Sequence, residues 1–108
     1  MINPLKIPEM LAQANQLQEQ MQRKLAETVV ESTSGGGAVA ATMNGKKELL
    51  KIRIDPAAVT SLSGGQPDVE MLEDLVMAAV NEAGRKAEEA LQSSVQGMLG
   101  DLKMPGLG

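Results

Sequence analysis

Apolar residues near the start of the chain recur at steps of three and four, which is the spacing of one face of an α-helix. They are Met10, Leu11, Ala14, Leu17, Met21 and Leu25. Pro8 suits the first helical position, because its missing N–H would have no partner there. The pattern predicts a long amphipathic helix over residues 8–27, with amide and charged side chains on its other face.

After residue 27 the apolar spacing changes to alternation, which is typical of half-buried β-strands. We predict three antiparallel strands, over residues 28–32, 38–43 and 46–54. One face of the sheet would be apolar and buried, and the other would be solvated. The predicted solvated side chains include Thr42, Lys47, Lys51 and Arg53.

The dipeptide Asn44-Gly45 predicts how the second and third strands are joined, because both residues tolerate the positive φ of a two-residue type I′ turn. Such a turn places Met43 opposite Lys46. It also places Val39 opposite Leu50, and Ala41 opposite Glu48.

A second long helix is predicted over residues 68–95, with Asp68 as its N-cap. Its apolar stripe comprises Val69, Leu72, Leu75, Val76, Ala79, Val80, Ala83, Ala87 and Leu91. Residues 56–66 read as a loop with a short helical turn at 57–62, and the Gly-rich residues 97–108 as a flexible tail. The order helix, three strands, helix predicts a single α+β domain over residues 1–96.

The composition indicates a thin core and therefore a partner subunit. The 108 residues include no Phe, Trp, Tyr or Cys, and eight Met. Small domains with little core often gain stability by oligomerisation. A helix of 20 residues is about 30 Å long, whereas six-residue strands span about 20 Å. The first helix should therefore overhang its sheet, and we expect a homodimer that buries Met10, Leu11, Ala14, Leu17 and Met21.

The same composition argues against an enzyme, a metal protein or a membrane protein. There is no His and no Cys, so the commonest general base and the soft metal ligands are missing. Six Ser are present, but the sequence shows no evident base that would activate them. We expect no cofactor and no small-molecule substrate. No run approaches the roughly 20 apolar residues of a membrane span, and the first ten residues do not form a secretory signal. A cytoplasmic protein is expected.

Several segments together resemble the YbaB/EbfC family of bacterial nucleoid-associated proteins. They are the Gln- and Met-rich first helix, Asn44-Gly45, the run Ile52-Arg53-Ile54-Asp55-Pro56, the run from Glu70 to Ala83, Arg85-Lys86 with Glu88-Glu89, and Lys103-Met104-Pro105-Gly106. The resemblance implies a homodimer with a sheet-based interface and protruding helices, located on the nucleoid. It also implies DNA binding of modest sequence specificity. The loop at 57–66 is longer than is usual in the family.

The charge distribution leaves room for a DNA-facing surface in an acidic chain. The net charge is −4, but residues 1–54 sum to +2 and residues 55–108 to −6. The candidate phosphate contacts are Arg23, Lys24, Arg85, Lys86, Lys46 and Lys47. The alternative for the helical pairs is a solvated face with intrahelical ion pairs. Lys46 and Lys47, together with Lys51 and Arg53, could also contact phosphates, but a solvated sheet face with a protected strand edge is slightly favoured for them.

We therefore expect a homodimeric, non-enzymatic protein that binds double-stranded DNA in the nucleoid and affects DNA organisation and gene expression. Without aromatic side chains, stacking on unpaired bases is impossible, which argues against a reader of single strands. The alternative is a protein-interaction adaptor of the same fold that uses Met-lined helix surfaces, since Met adapts to varied partners.

Overall fold

The computed structural model describes residues 4–101, and the side chains of residues 4–97. After a 3₁₀ turn at Pro4–Lys6, its elements follow in the order α1 (Ile7–Glu27), β1 (Val29–Ser34), β2 (Val39–Asn44), β3 (Leu49–Ile54), α2 (Pro56–Leu62) and α3 (Val69–Asp101). The predicted α+β order of helix, three antiparallel strands and helix is confirmed. The expected helical turn at 57–62 is the short helix α2, whose N-cap is Asp55.

The sheet has the order β1-β2-β3, but the predicted register of the hairpin is wrong. Val39 pairs with Ile54 and Ala41 with Ile52, so β3 is displaced by four residues from the predicted alignment. A displacement by an even number leaves each side chain on the same face of the sheet, so the predicted faces survive from Lys51 to Ile54. Nearer the turn Met43 pairs with Leu49, three residues from its predicted partner Lys46, so the predicted faces do not hold there. The pairing also shifts between Thr42 and Met43, which marks a β-bulge in β3.

The turn itself is longer than the predicted two-residue turn because the side chain of Asn44 organises it. The Asn44 Oδ1 atom accepts hydrogen bonds from the backbone N–H groups of Lys46 and Glu48, each at 3.0 Å. The residue with positive φ is Lys47, at 64°, and not Gly45. An Asn side chain that binds the backbone two and four residues on makes a turn that the dipeptide pattern does not predict.

The core lies between α3 and one face of β1 and β2. Ala79, Ala83 and Ala87 are fully buried there, at steps of four residues along α3, against Val39 and Met43. These methyl groups let the helix approach the sheet closely, so the core is small, and Val39 is its largest fully buried side chain. The predicted stripe of α3 is confirmed at most positions, although Val69 is exposed.

Two parts of the fold extend beyond this core. Residues 4–20 are all exposed, and α1 joins the body at Leu25, which is buried. The described chain consequently measures 71 × 28 × 17 Å. Strand β3 is an edge strand, and α3 packs mainly on β1 and β2, although Ile52 of β3 also packs against the core.

The predicted flexible tail needs a correction at its start. Residues 97–101 belong to α3, and residues 102–108 lie outside the described part of the chain. The sequence around Gly97 did not predict this extension of the helix, because glycine lowers helix propensity but does not exclude a helix. Among the described residues, no helix is both long and apolar enough to cross a membrane.

Candidate nucleic-acid interface

Arg23 and Lys24 lie on the last turns of α1, where the helix meets the sheet. Buried Leu25 fixes this end, and its carbonyl oxygen accepts a hydrogen bond of 2.8 Å from the N–H of Gly45. The Thr28 hydroxyl donates to the Lys24 carbonyl at 2.6 Å and closes the helix. Both cations are exposed, and neither forms an ion pair within residues 4–97.

The hairpin cations Lys46 and Lys47 lie beside this helix end. Together with Gln22 and Leu25 they line a shallow groove that α3 closes with Glu88 and Leu91. Lys47 Nζ lies 2.5 Å from Glu88 Oε2, and Lys46 Nζ is 3.9 Å from Glu48 Oε1. Residues of both α1 and the hairpin therefore line the same groove. The ammonium group of Lys47, however, already forms an ion pair with the carboxylate of Glu88.

The cations of α3 are already partnered. The guanidinium of Arg85 donates two hydrogen bonds to Glu82, one of them from Nε at 3.1 Å, and lies 3.7 Å from a carboxylate oxygen of Glu89. The hydrogen bond to Glu82 is the main reason that the pKa of Arg85 is raised above its usual range. Lys86 Nζ donates to the backbone carbonyl of Glu31 at 2.8 Å.

The six predicted contacts therefore differ in availability. Arg85 and Lys47 share a cleft with Glu88, whose floor is formed by Met43 and Val80. A phosphate group that binds these two cations must compete with carboxylates already in place. Exposed ion pairs contribute little stability, so this competition weakens phosphate binding without preventing it.

In the sequence, Lys51 and Arg53 on β3 belong to the same basic group as Lys46 and Lys47, for which a solvated sheet face was favoured over phosphate contacts. Both are exposed, and neither forms an ion pair within residues 4–97. The signal was the alternation of β3 itself, which places the two cations on the same face.

The predicted interface residues lie along the free length of α1. Met10, Leu11 and Leu17 are 51%, 61% and 43% exposed, Ala14 is exposed, and Met21 is half-buried. A second apolar surface, absent from that prediction, follows β3, where Leu49, Leu50 and Ile54 are 47%, 53% and 39% exposed. Monomeric soluble proteins rarely leave such surfaces uncovered.

Comparison with known proteins decides the family. The model of the YbaB/EbfC DNA-binding family matches residues 4–102, nearly the whole chain. The chain belongs to the YbaB/EbfC family. The resemblance seen in the sequence is thereby confirmed, and the family is one of DNA-binding proteins and not of enzymes.

Individual YbaB/EbfC relatives are similar over almost their full length. A nucleoid-associated protein of Acidobacterium capsulatum is 69% identical over 104 residues, which cover 96% of each chain. A nucleoid-associated protein of Koribacter versatilis is 52% identical over 98 residues, or 91% of this chain and 92% of the relative. The crystal structure of the uncharacterized protein HP0035 from Helicobacter pylori has a TM-score of 0.73 at 25% identity, over 92% of this chain and 99% of that one.

Proposed function

We propose that this chain is a nucleoid-associated homodimer that binds double-stranded DNA with low to modest sequence specificity. The observation that carries the proposal is the match to a DNA-binding family over residues 4–102, together with two close relatives named nucleoid-associated proteins. By binding along the chromosome in the cytoplasm, the protein would affect DNA organisation and gene expression.

The contacts to DNA are of the kind that position a duplex without reading its sequence. Arg and Lys bind phosphate groups electrostatically, and such contacts carry no sequence information. Arg23 and Lys24 are the leading candidates because they are exposed and unpaired within the described residues. Arg85, Lys86, Lys46 and Lys47 are secondary contacts, since each of the four already has a partner.

Assembly as a homodimer is supported by the two exposed apolar surfaces, on α1 and on β3. A core built largely of alanine methyl groups buries little apolar area per residue. A second subunit on these surfaces would supply the missing burial. It would also present two copies of each cation to one duplex.

The test is a titration of one DNA duplex at several salt concentrations. Each lost phosphate contact lowers the slope of log K against log salt by about 0.9 in magnitude, and by up to twice that when both subunits contribute. The variant Arg23→Ala/Lys24→Ala should weaken binding to all duplexes alike and flatten this slope. The matched variant Lys46→Ala/Lys47→Ala should change it less.

Two results would contradict the proposal in different ways. If the hairpin variant loses the slope and the α1 variant keeps it, the wrong surface has been assigned to DNA. If the wild-type protein shows no salt-dependent binding of duplex DNA, DNA binding itself is refuted. The apolar surface of α1, with Met10 half exposed, then favours the alternative function of a protein-interaction adaptor.

A further inference from the structure

We propose that Lys51 and Arg53, on the outer face of β3, form a second phosphate-binding site for the same DNA. This site is separate from the helical cations, and the inference rests on the proposed DNA-binding function. It assigns a nucleic-acid contact to the face of the sheet opposite α3.

The register of the sheet places both side chains on this outer face. The odd-numbered residues of β2 from Val39 to Met43 contact α3 in the core. Lys51 pairs with Thr42 and Arg53 with Ala40, and these even-numbered partners point away from α3. Two residues along a strand are about 6.6 Å apart, so the two cations can reach successive phosphates of one DNA strand.

The two cations are also free to bind a phosphate. Neither has an ion-pair partner among residues 4–97, in contrast to Lys47 and Arg85. Glu31 stands two strands away across Thr42, which is about 10 Å. Asp55 directs an oxygen to the N–H groups that begin α2, at 3.1 and 3.3 Å.

The surroundings allow a duplex to approach. The floor beside Arg53 and Lys51 consists of the short side chains of Ala40, Thr42 and Thr33. Within the described residues, α3 packs on the opposite face of the sheet. The apolar residues of β3 assigned above to the partner subunit, such as Leu49 and Ile54, pair with Met43 and Val39 and therefore also lie on the α3 side. A DNA backbone could therefore come close to the sheet without meeting a bulky side chain.

The outer face is also continuous with the proposed contacts on α1. β3 begins at Leu49, directly after the turn that carries Lys46, and ends at Ile54. That turn shares a groove with Gln22, the neighbour of Arg23 on α1. Six residues of strand span about 20 Å, so the cations from Arg23 to Arg53 could follow one stretch of a DNA strand.

The competing explanation is that cations on an exposed edge strand only prevent edge-to-edge aggregation. That role requires solubility and no DNA contact. The two explanations differ in the salt dependence of DNA binding, because only a phosphate contact releases counterions from DNA.

The experiment compares three variants that each remove one positive charge, Lys51→Gln, Arg53→Gln and the control Lys6→Gln. Lys6 is an exposed cation far from the sheet, before the start of α1. A single duplex is titrated between 50 and 200 mM salt. We expect Lys51→Gln and Arg53→Gln each to lower the slope by about 0.9 to 1.8, which reduces the salt-induced loss of affinity by about 3- to 12-fold. Lys6→Gln should keep the wild-type slope, and Arg53→Lys should restore it.

The inference is overturned if Lys51→Gln and Arg53→Gln behave like the control while wild-type protein binds DNA. The proposed function then stands without the sheet site. If wild-type protein does not bind the duplex, the proposed function fails as well. Light scattering and circular dichroism of each variant complete the test. A loss of binding that accompanies a loss of assembly or folding would assign Lys51 and Arg53 a structural role and refute the proposed site.

Discussion

Replacing Gly45 should destabilise the protein because a helix end lies against its α-carbon. A Cβ atom at this position would lie 2.9 Å from the carbonyl oxygen of Leu25, 3.0 Å from its Cδ2 and 3.2 Å from its Cα. The carbonyl is backbone and cannot rotate away. The same oxygen accepts the 2.8 Å hydrogen bond from Gly45, and Thr28 accepts a second one at 2.9 Å. Any shift that relieves the contact also weakens these bonds.

The expected magnitude for Gly45→Ala follows from this crowding. Overpacking a closely packed site costs about 1–3 kcal/mol. For a domain of about 100 residues, each kcal/mol shifts Tm by about 4 °C, so Tm should fall by about 4–12 °C. The assay is thermal unfolding followed by circular dichroism at a fixed protein concentration, because the Tm of a dimer depends on concentration.

Gly84→Ala is the matched control, with an expected effect of opposite sign. Gly84 lies inside α3 without a positive φ, and a Cβ there would meet no atom within 4 Å. Alanine is favoured over glycine in a helix by about 0.5–1 kcal/mol, so Tm should rise by about 2–4 °C.

Gly45→Asn separates crowding from turn conformation. Asn tolerates positive φ, so in a type I′ turn it should be milder than Ala. At the crowded position that the structure shows, Gly45→Asn should lower Tm at least as much as Gly45→Ala does. Unchanged stability of Gly45→Ala, or a stable Gly45→Asn, would refute the close approach of α1 to the hairpin.

Three further results are expected. Light scattering of the wild-type protein at micromolar concentration should give twice the 11.3 kDa chain mass, and a folded wild-type monomer would refute the dimer. Leu11→Glu, at a position that is 61% exposed, should lower this mass without unfolding the chain. Ala83→Leu should destabilise the fold by about 1–3 kcal/mol, because Ala83 is fully buried, whereas Ala78→Leu on the exposed face of α3 should change the denaturation midpoint little; equal effects would contradict the packing of α3. Glu82→Gln should strengthen duplex binding by freeing Arg85, and an unchanged Kd at low salt would show that Arg85 makes no phosphate contact.

Much of the fold follows from local periodicity. Apolar residues recur at steps of three and four in α1 and α3 because an α-helix has 3.6 residues per turn. In the strands between these helices they alternate, because successive side chains point to opposite faces of the sheet. These two patterns predicted the element order and the buried stripe of Ala79, Ala83 and Ala87, since burial of apolar side chains repeats with the same period. The family was also recognisable, because its residues occur in the same order along the chain.

The candidate site was only partly predictable. The pairing of Arg85 with Glu82 and Glu89 follows from their spacing of three and four on one helix. The pairing of Lys47 with Glu88 does not, because 41 residues separate them and only the packing of α3 on the sheet brings them together. Sequence alone therefore could not rank the cations by their availability to DNA.

The hairpin marks the boundary between local and tertiary information. Asn44-Gly45 favours a type I′ turn as an isolated dipeptide, and from this local signal the sequence correctly indicated a hairpin between β2 and β3. Its register was decided by the pairing of Ile52 and Ile54 with Ala41 and Val39 and by the end of α1. Gly45 is needed where Leu25 leaves no space for a Cβ atom, and that requirement exists only after the helix has packed against the turn.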